Sequence, residues 1–128
     1  MADDGGSDAR RRRRLSRSGD FDRVYREGAS RANRFLVVYR FRRGESEQGV
    51  PRLGISVGRR IGKAVRRNKV KRVVREAFWE LAEGLPGGDD YVIVARPGIE
   101  DLVEREGASG VRASLAELVG DVGGERLS

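Results

Sequence analysis

The stretch Ala64–Leu81 constrains this chain more than any other part of it. Val70, Val73, Val74, Ala77, Phe78 and Leu81 recur at i, i+3, i+4, i+7, i+8 and i+11, the spacing of one apolar helix face. At about 100° per residue, Asn68, Lys71, Arg72 and Arg75 fall on the opposite face. One side of this helix must meet a core, and the other is cationic. Like charges three and four apart destabilise a helix by a few tenths of a kcal/mol per pair. Such a face therefore suits an anionic partner, whereas a helix that is merely solvated interleaves Glu with Lys and Arg.

The basic run is wider than the helix. Between residues 52 and 75 there are ten Lys or Arg and no Asp or Glu: Arg52, Arg59, Arg60, Lys63, Arg66, Arg67, Lys69, Lys71, Arg72 and Arg75. Residues 1–79 hold 23 of the 27 basic side chains and 9 of the 20 acidic ones, while 80–128 hold 4 and 11. A net charge of +7 divided in this way indicates a polyanion-binding region followed by an ordinary scaffold. The sequence contains neither Cys nor His. That removes disulfides, thiolate or imidazole metal sites, cysteine nucleophiles and catalysis with a histidine base. The longest apolar run, at 35–39, is far short of a membrane span, and a cytoplasmic protein without membrane attachment is expected.

A chain of 128 residues supports one domain. Residues 1–17 are polar, with five consecutive arginines at 10–14, and read as a disordered basic arm that adds affinity without specificity. Residues 18–120 form the domain, and 121–128 a flexible tail. Ser18 and Asp20 are N-cap candidates for a short helix at 20–27, which Gly28 ends. A strand at 32–42 places Phe35, Val37, Tyr39 and Phe41 on one face and Leu36, Val38, Arg40 and Arg42 on the other. After a polar connection at 44–51, a second strand at 52–57 sets Leu53, Ile55 and Val57 opposite Arg52, Gly54 and Ser56. Gly84 and Pro86 stop the long helix, 91–95 reads as a third strand, and 111–119 as a last helix. The order α-β-β-α-β-α makes this an α+β two-layer sandwich.

The motif Gly62-Lys63-Ala64-Val65-Arg66-Arg67-Asn68-Lys69-Val70-Lys71-Arg72-Val73-Val74-Arg75-Glu76-Ala77-Phe78 resembles the signature helix of the bacterial ribonuclease P protein component. Asp20-Phe21-Asp22-Arg23-Val24-Tyr25-Arg26-Glu27-Gly28 resembles that family's first helix. Ala32-Asn33-Arg34 through Tyr39 and Leu53-Gly54-Ile55-Ser56-Val57 resemble its first two strands. The family's usual Arg-Asn-Arg core reads Arg67-Asn68-Lys69 here, keeping the charge while losing one planar fork.

The resemblance implies a ribonucleoprotein that removes the 5′ leader of precursor tRNA. Its catalytic centre and Mg2+ ions lie on a large RNA subunit, and the protein itself holds no cofactor and supplies no catalytic residue. The implied partners are ribonuclease P RNA and precursor tRNA, with no obligate protein partner. Arg34, Arg59, Arg60, Lys63, Arg66, Arg67, Asn68, Lys69, Lys71, Arg72 and Arg75 would bind RNA. A cleft of Phe21, Tyr25, Val37 and Tyr39 would hold the unpaired leader, since unpaired bases stack on aromatic rings. The resemblance also implies a left-handed βαβ crossover, against the general rule. Trp79 shares the charged helix face and suits either packing or stacking.

Two other readings stay open on the residues. A nuclease with its own active site would use Asp89 and Asp90, Glu100 and Asp101, or Glu104 and Glu106, although an adjacent pair such as Asp89 and Asp90 in a glycine turn reads as a solvated loop. A general RNA- or DNA-binding module shares the charge and lacks the motif.

Overall fold

The computed structural model describes residues 14–15, 18–42, 51–82 and 88–119. Helix α1 (Ser18–Glu27) is followed by strands β1 (Ala29–Ala32), β2 (Leu36–Arg42) and β3 (Arg52–Val57). A 3-10 turn (Arg59–Ile61) leads into α2 (Ala64–Leu81), then β4 (Asp89–Ala95) and α3 (Ile99–Val119). The four strands form one mixed sheet in the order β1-β2-β4-β3. β2 pairs antiparallel with β1 and with β4, and β3 pairs parallel with β4. A parallel neighbour needs a crossover, and α2 supplies it.

Strand alternation sorts the side chains. Leu36, Val38, Leu53, Val57, Tyr91 and Ile93 face α2 and α3 in the main core. This sheet and these two helices are the two layers expected. Val24 of α1 packs with Val92 and Leu15 on the opposite face, flanked by Phe21, Tyr39, Phe41 and Val94. Leu15 is seated there by a hydrogen bond from its N–H to the Leu53 carbonyl, 2.9 Å. The polar connection at 44–51 lies outside the described residues apart from Pro51, as do the helix-stopping Gly84 and Pro86, the tail at 121–128 and all but Arg14 and Leu15 of the basic arm.

The observed elements differ from the sequence reading at four places. The strand expected at 32–42 is two strands joined by a bend at Asn33. The Asn33 carboxamide oxygen accepts from the N–H groups of Phe35 and Leu36, both 3.0 Å. Its Nδ2 donates to the Ser114 carbonyl at 2.9 Å and to the Ser114 hydroxyl and Glu117 at 3.0 Å. Phe35 consequently packs with the main core rather than beside Val37, because alternation begins only at Leu36. The last helix starts twelve residues before 111. Its first turns bury Ile99, Leu102 and Val103, and a kink at Gly107 (φ 62°, ψ −148°), in a region open chiefly to glycine, interrupts the period that would have revealed it.

Asp89 and Asp90 provide the fourth correction. They begin β4, with the Asp90 side chain 0% and that of Asp89 7% exposed. Arg40 donates to Asp89 through Nε at 2.7 Å, and Arg52 grips Asp90 with Nε and Nη2, both 2.8 Å. Arg23 of α1 reaches Asp90 at 3.9 Å while lying 5.1 Å from the centre of the Phe41 ring. A buried carboxylate needs such partners, and the arginines on the neighbouring strands supply them.

Tyr91 sits in this core with its hydroxyl unpartnered among the described residues. Burial pushes its phenol up to about 12, with the Arg40 charge opposing and that of Asp89 reinforcing the shift. An unfolded tyrosine ionises near 10. This side chain therefore contributes fully to stability below pH 10, and the contribution falls as pH rises through about 12. The loss is roughly 2–3 kcal/mol for a shift of this size. Tyr91→Phe should leave stability at pH 8 unchanged or slightly higher, since no hydrogen bond is lost. It should also lose less stability than the parent between pH 9 and 11. Urea unfolding of both proteins at the two pH values measures the difference.

Candidate nucleic-acid interface

Val70, Val74, Ala77 and Phe78 of α2 are buried with at most 1% exposure, so the helix is held by one face and its orientation follows. Arg59, Arg60, Lys63, Asn68, Lys69, Arg72 and Arg75 are exposed, and none of them forms an ion pair among the described residues. Lys71 is half-buried. Arg67 is half-buried as well, because its Nε donates to the Gly62 carbonyl at 3.1 Å. Arg66 stands on the side of α2 that meets α3, 3.9 Å from Glu104. The expected basic residues of α2 and of the turn before it are thus one continuous surface, with Arg66 and Arg67 at its margins.

Arg34 lies apart from them. It is exposed at the β1–β2 bend, its guanidinium 5.4 Å from the centre of the Phe35 ring. Trp79 is half-buried against the main core and meets Phe78 edge-on, with centroids 4.9 Å apart.

The four aromatic-cleft residues come together on the other face of the sheet. Tyr25 is 37% exposed, and its ring meets Tyr39 edge-on at 4.9 Å and Phe21 at 6.3 Å. Burial raises the pKa of its hydroxyl, with the neighbouring Ser56 side chain acting in the opposite sense. Val37 is half-buried on the same strand face as Tyr39. Phe21 has a different setting. A Cβ at Gly54 would lie 2.6 Å from its ring, so the ring rests directly on the β3 backbone, which only glycine permits. Phe21 is thus a packing residue, and Tyr25 and Tyr39 carry the more accessible rings of the cluster.

The sequence reading missed Asn33 as the residue that fastens the Arg34 bend to α3. Its signal was an Asn between two extended segments, a position where side-chain hydrogen bonds to the following N–H groups are common. The carboxylates offered for a nuclease do not converge. Asp89 and Asp90 are consumed by arginines in the sheet. Glu104 faces Arg66, Glu106 is 3.6 Å from Arg105, and Glu100 accepts from the Gly98 N–H at 3.0 Å. No group of three acids placed to hold a metal occurs among the described residues. None of the described helices is long and apolar enough to cross a membrane.

The chain is similar to known proteins along most of its length. The family model Ribonuclease P aligns with residues 9–119. The ribonuclease P protein component of Geobacillus thermodenitrificans is 41% identical over 111 residues, covering 87% of each chain. That of Bacillus cereus is 36% identical over 120 residues, 94% of this chain and 96% of the relative. The solved ribonuclease P protein of Thermotoga maritima is 38% identical with a TM-score of 0.71, covering 81% of this chain and 92% of that one. A cationic helix crossing between two parallel strands, an aromatic cluster behind the sheet and relatives matched over nearly their full length lead to one conclusion: the chain belongs to the ribonuclease P protein family.

Proposed function

We propose that this protein binds the catalytic RNA of ribonuclease P through the outer face of α2 and the 5′ leader of precursor tRNA through the α1 cleft, and so promotes tRNA 5′-end maturation in the cytoplasm. The observation that carries this reading is the set of exposed cations Arg59, Arg60, Lys63, Lys69, Arg72 and Arg75, none of which forms an ion pair among the described residues. Phosphates relieve its self-repulsion, and the counterions they release drive association. The cleft lies on the opposite face of the sheet, so an RNA on α2 leaves it open to a second strand. Tyr25 and Tyr39 suit unpaired bases by stacking, without demanding a sequence. Catalysis belongs to Mg2+ ions held by the RNA. This chain's part is to bind and position.

Reconstitution with a bacterial ribonuclease P RNA at low magnesium tests the reading as a whole, with faster appearance of mature 5′ ends than from RNA alone as the supporting result. Arg72→Ala and Arg75→Ala should each weaken binding to that RNA and lower the slope of log affinity against log salt by roughly 0.7–0.9. An unchanged slope in both, with folding intact, would remove α2 from the interface.

The cleft yields a separate expectation. Tyr25→Ala should lower the affinity for precursor tRNA relative to mature tRNA by about tenfold, the equivalent of about 1.4 kcal/mol of lost stacking, with little change in melting temperature. Tyr39→Ala should act in the same direction. Phe21→Ala should instead melt earlier, because its ring packs on Gly54. If the precursor-to-mature ratio stays constant in both tyrosine variants, the rings are packing residues only.

A further inference from the structure

A second cleft, between the first halves of α2 and α3, opens at the edge of the cationic surface and shares Lys63, Arg66 and Lys69 with it. It encloses about 520 Å3. Val70 and Val103 form a buried apolar floor, and Val65 extends it outward at 82% exposure. Among the described residues the one other exposed large apolar side chain is Tyr25, which already lines the leader cleft. Val65 stands one helical turn before Asn68 and Lys69 and shares their surface. An apolar group is therefore left bare at the border of the cationic face.

The two walls of this cleft carry opposite charge. Lys63, Arg66 and Lys69 stand on the α2 side, and Glu100 and Glu104 on the α3 side. Gly62 shapes the first wall. Its φ is +145°, and a Cβ there would lie 2.8 Å from Cδ of Arg66, so the missing side chain lets the arginine stem lie along the cleft. Glu100 already accepts from Gly98. Glu104 meets Arg66 only at 3.9 Å, with both side chains more than half exposed, and is the freer acceptor.

The geometry points to a pocket for one unpaired nucleotide of the RNA that covers α2, its base bearing an exocyclic amino group. This rests on the RNA-binding reading of α2. The base lies on the valine floor, its phosphate faces Lys63, Arg66 and Lys69, and Glu104 accepts hydrogen bonds from the amino edge. A carboxylate wall is unfavourable for phosphate alone and is useful only when the ligand also brings N–H donors. Guanine fits best, because its N1–H and N2–H point in parallel and a carboxylate accepts both. Uracil offers a single donor between two carbonyls.

The test uses the full chain and its complex with a bacterial ribonuclease P RNA. Val65→Ser and Glu104→Gln alter exposed side chains and should not disturb folding. Each should lower RNA affinity roughly three- to tenfold, toward the lower end of a lost base contact, and Val65→Ser should leave the salt slope unchanged because no cation is removed. The sign for Glu104→Gln is decisive. If the cleft sees only phosphate, removing a negative charge raises affinity, and a rise or no change overturns the proposal. In the free protein, guanosine 5′-monophosphate should shift the methyl resonances of Val65 and Val103 far more than uridine 5′-monophosphate. Equal responses to both nucleotides and to inorganic phosphate would also overturn it. Arg72→Ala, measured alongside, separates the two levels. If it still lowers the salt slope while Val65→Ser and Glu104→Gln do nothing, the pocket fails and the RNA-binding reading stands; if it too has no effect, both fall.

Discussion

Two carboxylates at the start of β4, each gripped by an arginine from the strand beside it, hold this sheet in register. Asp89 takes Arg40 from β2, and Asp90 takes Arg52 from β3. Burying such pairs is costly, and they commonly add little net stability compared with an apolar core. Their value here is geometric. A one-residue slip of either neighbour would turn its arginine to the other face and leave a buried charge alone. Arg23 of α1 approaches the same Asp90, and α2 departs from the end of β3. The cationic helix and the aromatic cleft thus take their positions from one pair of adjacent acids.

Keeping cations side by side on α2 is a matter of magnitudes. Each like-charge pair costs a few tenths of a kcal/mol, whereas a fully buried Val or Phe contributes about 1.5–3 kcal/mol. Val70, Val74 and Phe78 alone, at 0–1% exposure, outweigh the repulsion severalfold. The charge division along the chain becomes a division in space. Five acids of the last third sit on α3, where Glu104 faces Arg66, and across the same helix pair Arg112 meets Glu80. Up to Arg75, the charged side chains on the outer face of α2 are all basic.

Much of this was legible because it follows from periodicity. The helix Ala64–Leu81 and the strand Arg52–Val57 have the bounds expected from spacing alone, and the order α-β-β-α-β-α holds once β1 is added. What escaped depends on contacts distant in sequence. β1 is short and exposed along its whole length, so no burial pattern marks it. The first half of α3 is hidden by Gly107 and by a run of charges. Asp89 and Asp90 look like a solvated turn until Arg40 and Arg52 are brought beside them. Of the candidate binding residues, those on α2 could be grouped from helical geometry. Arg34 could not, because its placement depends on Asn33 reaching a helix some eighty residues away. The distinction between Phe21 and Tyr25 turns on the missing side chain at Gly54, which spacing does not reveal.

The bridge from the N-terminal segment to β3 bears on self-association. A sheet of order β1-β2-β4-β3 ends on two strands with unpaired backbone groups, and such strands are templates for pairing with another molecule. On one side Arg14 and Leu15 begin to occupy that row by bonding to Leu53. On the other, β1 is only four residues long and carries Arg31, brevity and charge being two common ways of blunting such a border. A sheet bordered in this way discourages copies of the protein from joining at the strands, leaving both of its faces, with the cations on one side and the aromatic rings on the other, to act in a single molecule.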